Sequence, residues 1–448
     1  MSAVSEALPA PEMYYSTSGH NYFVENDSRR WISVTETSAK RMLKALGFSS
    51  STPEGEMLSP LDEVLNKIQL SQDVSYAASL AGYSAGVYEI SGKRILVTDS
   101  PTLIEPVEGE WPVLDSLLEG MFNLPEIDQR PYVYGWFKIM LESLRRKKHQ
   151  QGQVLALAGE VESGKSLFQG VVTELLGGRV AHPYPFMVDK STFNGELFAA
   201  EHLAIEDEAE STDYRSRRNF AAKIKGFVAN RTQACHRKHC QPLTLTPFWR
   251  LTISLNEDPE RIMVLPPINE DIEDKIMLLK VAKRAMPMAT ETGDEKEAFW
   301  NVIKNELPAF VFFLNQFEIP VELRSSRFGI THYHHPELLA ALDALSPEER
   351  LLEMIDNEVL GKRYNNDVWR GNASSLFSCL TDDGSDCRQE ALRLLSHSNS
   401  CGTYLGRLQK KYPDRVESRR INGTTEWIIQ PREDMKPKQS PGVSPWMR

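Results

Sequence analysis

An α/β fold is what this 448-residue sequence predicts, with a parallel sheet built around a phosphate-binding loop at its core. Three observations carry that expectation. An uninterrupted apolar run, Val154-Leu155-Ala156-Leu157-Ala158, opens directly into a glycine loop and then into a helix-spaced segment. A run apolar at every position reads as a strand covered on both faces, the mark of a parallel sheet. Two similar runs follow, His202 to Glu206 and Arg250 to Leu255, with helical pattern between them, and strands alternating with helices imply crossover connections. Finally, domains usually hold roughly 100–200 residues, so a chain of this length should carry further units on either side of that core.

Composition bounds the partners. With 51 basic against 62 acidic residues the net charge is −11, while 41% of residues are apolar and 25% charged. That balance excludes a mainly disordered chain and a purely electrostatic, histone-like DNA binder, so any nucleic acid must be met by a local basic patch. The five cysteines, at 235, 240, 379, 387 and 401, show no disulfide-framework spacing, which fits a reducing compartment. Met1 to Met13 has no basic stretch followed by an apolar one, and no run of about 18 apolar residues occurs, so a cytoplasmic protein without a membrane partner is expected.

Taken in order, residues 1–50 predict a small α+β unit. Tyr14-Tyr15, Asn21 to Val24 and Trp31 to Val34 are short β-type runs, and Ser38 to Leu46 follows helical spacing. Residues 51–110 begin as a Ser/Pro/Gly-rich linker and then predict a hairpin, Val87 to Ile90 and Arg94 to Val97 flanking Ser91-Gly92-Lys93. Nothing in this first quarter offers zinc-ribbon cysteines or a clear Asp-x-Asp or Asp-x-Glu metal pair, so primer synthesis is left to a separate primase or polymerase. Residues 111–150 form a helical, collar-like segment whose helix Tyr132 to Lys148 ends in Arg145-Arg146-Lys147-Lys148, a basic end that suits the negative pole of a helix. The core occupies 151–280. Residues 281–346 read as helical, with Phe310, Val311, Phe313, Leu314 and Phe317 on one face. In 347–430, apolar helical faces at Leu351 to Ile355, Ala373 to Leu380 and Cys401 to Leu408 precede a hairpin, Val416 to Ile429, around Asn422-Gly423, which is the order of a winged helix. The proline-containing tail 431–448 is expected to be disordered.

The chemistry concentrates in the core. Gly159-Glu160-Val161-Glu162-Ser163-Gly164-Lys165-Ser166 is G-x-x-x-x-G-K-S between a strand and a helix that begins near Leu167. In that arrangement loop and helix N–H groups surround the phosphates of ATP, Lys165 neutralises the β/γ oxygens, and Ser166 offers a hydroxyl to Mg²⁺. Asp207-Glu208 follow the second apolar strand: Asp207 would hold the metal through water and Glu208 would polarise the attacking water, with Glu206 and Glu210 leaving a one-residue ambiguity of register. Asn256, at the end of the third strand, can hydrogen-bond the γ-phosphate, or simply form a turn before Glu257-Asp258-Pro259. Between them, Tyr214 to Ala229 is a basic amphipathic helix, and Arg231 to His236 with Gln241 to Thr246 predicts a hairpin tipped by Arg237-Lys238-His239. Such a tip can reach nucleic-acid phosphates; a solvated loop has the same composition. Zinc at Cys235, His236, His239 and Cys240 is disfavoured, because adjacent Cys-His pairs on a two-stranded hairpin converge poorly on a tetrahedron.

The phosphate loop, Asp207-Glu208, the basic hairpin and Asn256, in this order, resemble the motif set of superfamily 3 helicases, and most nearly the poxvirus- and phage-type primase-helicases of viruses and mobile elements. The resemblance spans about 110–320 and includes Glu306-Leu307-Pro308-Ala309-Phe310, which is similar to a Leu-Pro-containing helix of those proteins. It implies an AAA+ fold, a homo-oligomeric ring, usually a hexamer, and ATP-driven 3′-to-5′ movement on single-stranded or forked DNA, with Lys238 and His239 gripping the strand beside Arg237. The family generally supplies an arginine in trans before a terminal apolar strand; here the stretch reads Glu273-Asp274-Lys275-Ile276, so Lys275 or Arg261 is left for that role. Independently, Arg407, Lys410, Lys411, Arg419 and Arg420 flank the expected recognition helix and wing, in a stretch, 401–448, with ten basic against five acidic residues. The expected activity is that of a Mg²⁺-ATP-dependent DNA helicase in replication of a phage, plasmid or mobile element. A non-translocating ATP switch, a replication initiator and a small-molecule kinase share parts of the same pattern.

Overall fold

The computed structural model describes residues 12–146, 150, 152–206, 214–238, 240–257, 262, 264–266, 268, 270–344, 346–364, 367–395, 399–421 and 423–432, with side chains omitted at 214–218 and 343–344. Asp207, Glu208, Glu210, His239, Arg261, Asn422 and the tail 433–448 therefore lie outside the described residues. The chain divides into two units, Met1–Leu338 and Leu339–Arg448.

At the start of the first unit, strands Met13–Ser16, Asn21–Glu25 and Trp31–Val34 form an antiparallel sheet, and Asp73–Val74 adds to the first of them in parallel. Helix Glu36–Ala45 is capped by Thr35, whose side chain accepts from the Ser38 N–H, and helix Pro60–Ser71 is capped in the same way by Ser59. Met13, Tyr22, Leu43, Leu61, Leu65 and Ile68 make one buried cluster. The small unit thus continues past residue 50 to about 74, because the second helix supplies Leu61, Leu65 and Ile68 to its core. The expected hairpin follows as Gly86–Ile90 paired with Lys93–Val97. Its turn residues Ser91 and Gly92 have φ of 53° and 71°, the left-handed pair of a tight hairpin turn.

The central sheet is parallel throughout, in the order Ile276–Val281, Val154–Gly159, Arg250–Leu255, His202–Glu206, Val180–Ala181. The α/β core with a parallel sheet is as the alternating pattern predicts. On the face carrying Leu155, Leu157, Met277 and Leu279 it is covered by helices Pro112–Phe122, Arg130–Arg145, Lys165–Leu175 and Gly293–Gln316, whose Phe122, Phe137, Phe168 and Phe310 belong to one buried cluster. Segment 111–150 and the part of 281–346 up to Tyr333, expected as separate pieces, therefore share a core with 151–280. One contact shows how closely. Helix Pro112–Phe122 begins at Trp111, which makes no side-chain cap, and the Glu306 carboxylate receives the N–H groups of Val113 (3.2 Å) and Leu114 (2.8 Å) instead. The free edge of Ile276–Val281 is covered as well: Leu278 exchanges hydrogen bonds with Tyr333 and His335, and buried Gln129 pairs with both backbone groups of Lys280.

The second unit runs from helix Pro347–Met354 through a wide-turned continuation, Ile355–Arg363, to helices Ala373–Thr381, Arg388–Leu394 and Ser400–Lys411 and the hairpin Val416–Ile421 with Thr424–Ile429, whose second strand also pairs with Trp369–Gly371. Leu351, Ile355, Trp369, Leu376, Leu405 and Ile429 are among its buried cluster. Asp356, buried, is held by Arg415 at 2.6 Å and Arg432 at 2.8 Å, and so joins the wide-turned continuation to both ends of the hairpin. Among the described residues of the whole chain no helix is long and apolar enough to cross a membrane.

Candidate nucleotide site and basic hairpin

The glycine loop turns because two of its residues take left-handed backbone, Glu162 (φ 65°) and Gly164 (φ 88°). At Gly164 a Cβ would also stand 3.3 Å from the Met286 methyl, a tight approach, besides adopting a backbone that L side chains rarely take. Helix Lys165–Leu175 starts immediately afterwards, its first N–H groups at the loop. The Lys165 ammonium donates to the carbonyls of Gly159 (2.8 Å) and Glu160 (2.6 Å) and to Ser163 Oγ (3.1 Å), and the residue is only 9% exposed. A cation whose acceptors inside the loop include two backbone carbonyls and a hydroxyl can exchange these for phosphate oxygens, which bind it more strongly.

Facing the loop is an open cleft of about 710 Å³, large enough for a nucleotide. Besides Glu162 to Ser166 its walls include Lys283, Arg284, Met286, Thr290, Glu291 and Lys296, all from the segment after the outer strand. Lys283, Arg284 and Lys296 belong to none of the sequence motifs. Lys283 stands 3.8 Å from the Glu162 carboxylate across the mouth. The only signal for them was the local run Lys283-Arg284, and only the parallel pairing of Val281 with Gly159 makes it a neighbour of the loop.

The strand order aligns the other expected groups. Leu255 pairs with Ala158 and Ser254 with Glu206, so the chain leaves all three strands at one level: Gly159 into the phosphate loop, half-buried Asn256 beside it, and Glu206 at the head of the acidic pair. Below that edge, buried side chains tie the loop helix to both strands. Gln169 donates to Thr252 Oγ1 (2.9 Å) and to the Ile205 carbonyl (3.2 Å), and His202 stands between Thr252 Oγ1 (2.8 Å) and Thr173 Oγ1 (2.7 Å). Burial pushes the His202 pKa down to about 3, against 6.5 for the ordinary imidazole. The folded protein therefore keeps this ring neutral while the unfolded chain takes up a proton below pH about 6.5, so stability falls as pH falls, by about 1.4 kcal/mol per unit from this group alone. The advantage of wild type over His202→Gln in thermal midpoint should accordingly shrink from about pH 7 to about pH 5; a constant gap would remove His202 from the account.

The predicted hairpin is present as Gln233–Cys235 paired with Leu243–Leu245, inserted between the acidic and inner strands. Lys238 at its tip is exposed. Arg237 points elsewhere: its guanidinium lies 4.5 Å from the Tyr76 ring centre and its Nη2 3.4 Å from Ser18 Oγ, so it fastens the hairpin to the N-terminal strands. On helix Tyr214–Ala229, Lys223 pairs with Asp189 and lies over Phe186, and Lys225 pairs with Asp271. Burial pushes the Cys235 thiol up to about 11, which opposes thiolate ligation, and among the described residues no group of three ligand-type side chains converges as a metal site.

Lys275 is 8% exposed, with its ammonium donating to Asp274 Oδ1 (2.7 Å) and the Asp271 carbonyl (2.8 Å). It precedes the outer strand and so stands at the end of the sheet opposite its own phosphate loop. In the second unit Lys410, Arg419 and Arg420 are exposed, with Arg419 3.8 Å from the Glu417 carboxylate, and Arg407 pairs with Glu348 and Lys411 with Glu349.

Residues 157–271 match a family model described as a family of unknown function, DUF5906. That span takes in the phosphate loop, the acidic pair, the hairpin, Asn256 and Arg261, and stops short of Lys275. No curated protein matches the chain. Among solved structures it is similar to the apo structure of the NrS-1 C-terminal region, at 13% identity and a TM-score of 0.54 over 93% of this chain and 95% of that one. It is similar also to the A form of the same region, at 12% identity and a TM-score of 0.53 over 94% and 96%. At these identities the likeness is one of fold, and it extends over nearly the whole chain. A structure titled "SCCmec type IV Cch - active helicase" is similar at 8% identity over 90% of this chain and 73% of that one; its TM-score of 0.33 is too low to carry an argument.

Proposed function

We propose that this chain is a Mg²⁺-ATP-dependent motor of the superfamily 3, AAA+ type that moves on single-stranded or forked DNA during replication of a phage, plasmid or mobile element. The observation that carries the reading is the sheet order. The inner strand ending at Asn256 lies between the loop strand and the acidic strand, so phosphate loop, polar amide and acidic strand end open on one edge, and a hairpin with an exposed lysine is inserted between the last two. A kinase that shared only the loop would have no use for that insert.

The residues fit the nucleotide: the loop already holds Lys165 among acceptors that phosphate can replace, and the cleft has the volume. Loop N–H groups and Lys165 would hold the β/γ phosphates, with Lys283, Arg284 and Lys296 adding positive charge on the opposite wall. Ser166 and Asp207 would hold Mg²⁺, which when bound offsets charge on the β and γ oxygens. Glu208 would orient and deprotonate the attacking water, and Asn256 would distinguish intact from cleaved nucleotide. Because Lys275 stands at the far end of the sheet from its own loop, a nucleotide contact by it would be with a neighbouring copy in a ring, and its pairing with Asp274 keeps Arg261 as the alternative. The second unit, with helices followed by a hairpin, suits a winged helix in which Lys410, Arg419 and Arg420 offer exposed charge to DNA; a separate primase or polymerase would supply primers.

Unwinding of a 3′-tailed duplex, measured together with ATP turnover in the presence and absence of single-stranded DNA, tests the reading. DNA should raise turnover severalfold. Lys238→Ala should bring the ratio of stimulated to unstimulated turnover close to one and lower DNA affinity by about tenfold, in line with loss of a phosphate contact on a single-strand path. Arg237→Ala should act first on thermal stability, since its partners are Tyr76 and Ser18. Full stimulation in the Lys238 variant would reject the hairpin as the DNA contact, and a wild-type rate indifferent to DNA would reject the motor.

A further inference from the structure

The first strand of the hairpin is fastened to the segment leading into the acidic strand by a buried side chain. Asn194, 5% exposed, behaves as a one-residue third strand against Gln233–Cys235: its N–H donates to the His236 carbonyl (3.0 Å), its Nδ2 donates to the Ala234 carbonyl (2.9 Å), and its Oδ1 accepts from the His236 N–H (2.7 Å). From Asn194 the chain runs through one tight helical turn, Gly195–Ala199, directly into the acidic strand His202–Glu206. Gly195 is small for a reason: a Cβ there would stand 2.4 Å from Arg237 Cγ, on the way to Tyr76. The other arm of the hairpin leads to Trp249, whose indole donates to the Leu197 carbonyl at 2.8 Å and packs on Phe198, and then into the inner strand. Both arms thus lead to strands that open at the nucleotide edge.

We propose that Asn194 is a positioning residue that transmits movement of the acidic strand to the basic hairpin, and so couples nucleotide state to DNA contact. The proposal rests on the motor reading above. With three hydrogen bonds spanning residues 234 to 236, a shift of the segment leading into His202–Glu206 must carry the first hairpin strand with it. Without them the hairpin would stay attached through the inner strand, through Arg237 on Tyr76 and through Gln233 on the Gly226 carbonyl, and Lys238 would still reach DNA while its position followed the acidic strand less closely.

The experiment compares Asn194→Ala, Asn194→Asp and wild type for ATP turnover with and without single-stranded DNA, nucleotide KM, DNA affinity with each nucleotide state, and thermal midpoint. In wild type, DNA affinity should differ between ATP-bound and ADP-bound protein. In Asn194→Ala that difference should shrink to within about twofold and most of the severalfold DNA stimulation should be lost, while nucleotide KM stays within about twofold. Asn194→Asp keeps the acceptor for the His236 N–H and loses the donor to Ala234, so it should fall between. An alanine variant with an undiminished nucleotide-dependent difference in DNA affinity overturns the coupling role. If alanine lowers the midpoint so far that little folded protein remains, the aspartate variant decides by the same ratio. Wild-type protein with no DNA response would instead overturn the motor reading, which keeps the two failures apart.

Discussion

Replacing Lys165 by alanine should lower ATP turnover by at least about a hundredfold, and weaken binding of the triphosphate more than that of the nucleoside. The ammonium is the cation at the centre of the loop, and its acceptors there include two carbonyls and a hydroxyl. Removing one preorganised donor from a site where charge develops costs roughly 3 kcal/mol of transition-state stabilisation. Here the loss also leaves the Gly159 and Glu160 carbonyls without that donor, which is why folding has to be measured beside turnover. Lys165→Arg serves as the companion: it keeps the charge but carries a planar fork too large for the same three acceptors, so it should retain folding and lose most of the rate. Steady-state turnover and binding of a fluorescent triphosphate give the readout. Near-normal turnover in a folded alanine variant would remove the loop from the chemistry.

How far the sequence disclosed this arrangement can be traced residue by residue. Val154 to Ala158 was legible as a strand because both of its faces are covered, which forces every position to be apolar, and the hairpin at Ser91-Gly92 was legible because its turn needs left-handed backbone. The basic hairpin was found as well, although shorter than its pattern, since its paired segment is only Gln233–Cys235 with Leu243–Leu245. Helix Pro60–Ser71 escaped notice in a Ser/Pro/Gly-rich stretch, yet Ser59-Pro60 is itself a cap followed by a proline at the first helical position, and reading it as such would have carried the small unit past residue 50.

Other features depend on adjacency that no local pattern encodes. Glu306 caps a helix nearly two hundred residues earlier in the chain, Lys283, Arg284 and Lys296 reach the cleft only because the outer strand runs beside the loop strand, and Asn194 looks like any loop asparagine until the hairpin is folded against it. Arg237 is the instructive case. Charge at a hairpin tip predicted a phosphate contact, but the side chain runs back over Tyr76, which leaves Lys238 as the exposed cation among the described tip residues.

The second large effect is expected at Glu208, and it should differ in kind from that at Lys165. Glu208→Gln keeps size and hydrogen-bonding capacity but removes the base, so ATP should bind at close to its normal affinity while turnover falls by about a hundredfold or more. Asp207→Asn, by contrast, should be partly restored by raising Mg²⁺ if, as proposed above, that residue holds the metal through water rather than accepting a proton. The two acids follow Glu206, which closes the acidic strand opposite Ser254, and Glu210 lies close behind in the sequence, so the pair is assigned only to within one residue. Parallel variants Glu206→Gln and Glu210→Gln settle the register: the acid whose amide abolishes turnover without weakening ATP binding is the base. In a ring built on nucleotide held between copies, a variant that binds ATP and cannot cleave it should also accumulate as the assembled form, so its mass in solution should rise with ATP and stay high, whereas Lys165→Ala should remain at the nucleotide-free mass. If the Glu208→Gln chain stays a monomer with ATP bound, Lys275 and Arg261 have no neighbour's nucleotide to contact, and hydrolysis must be completed by cations of the same cleft, for which Lys283, Arg284 and Lys296 are the residues to replace next.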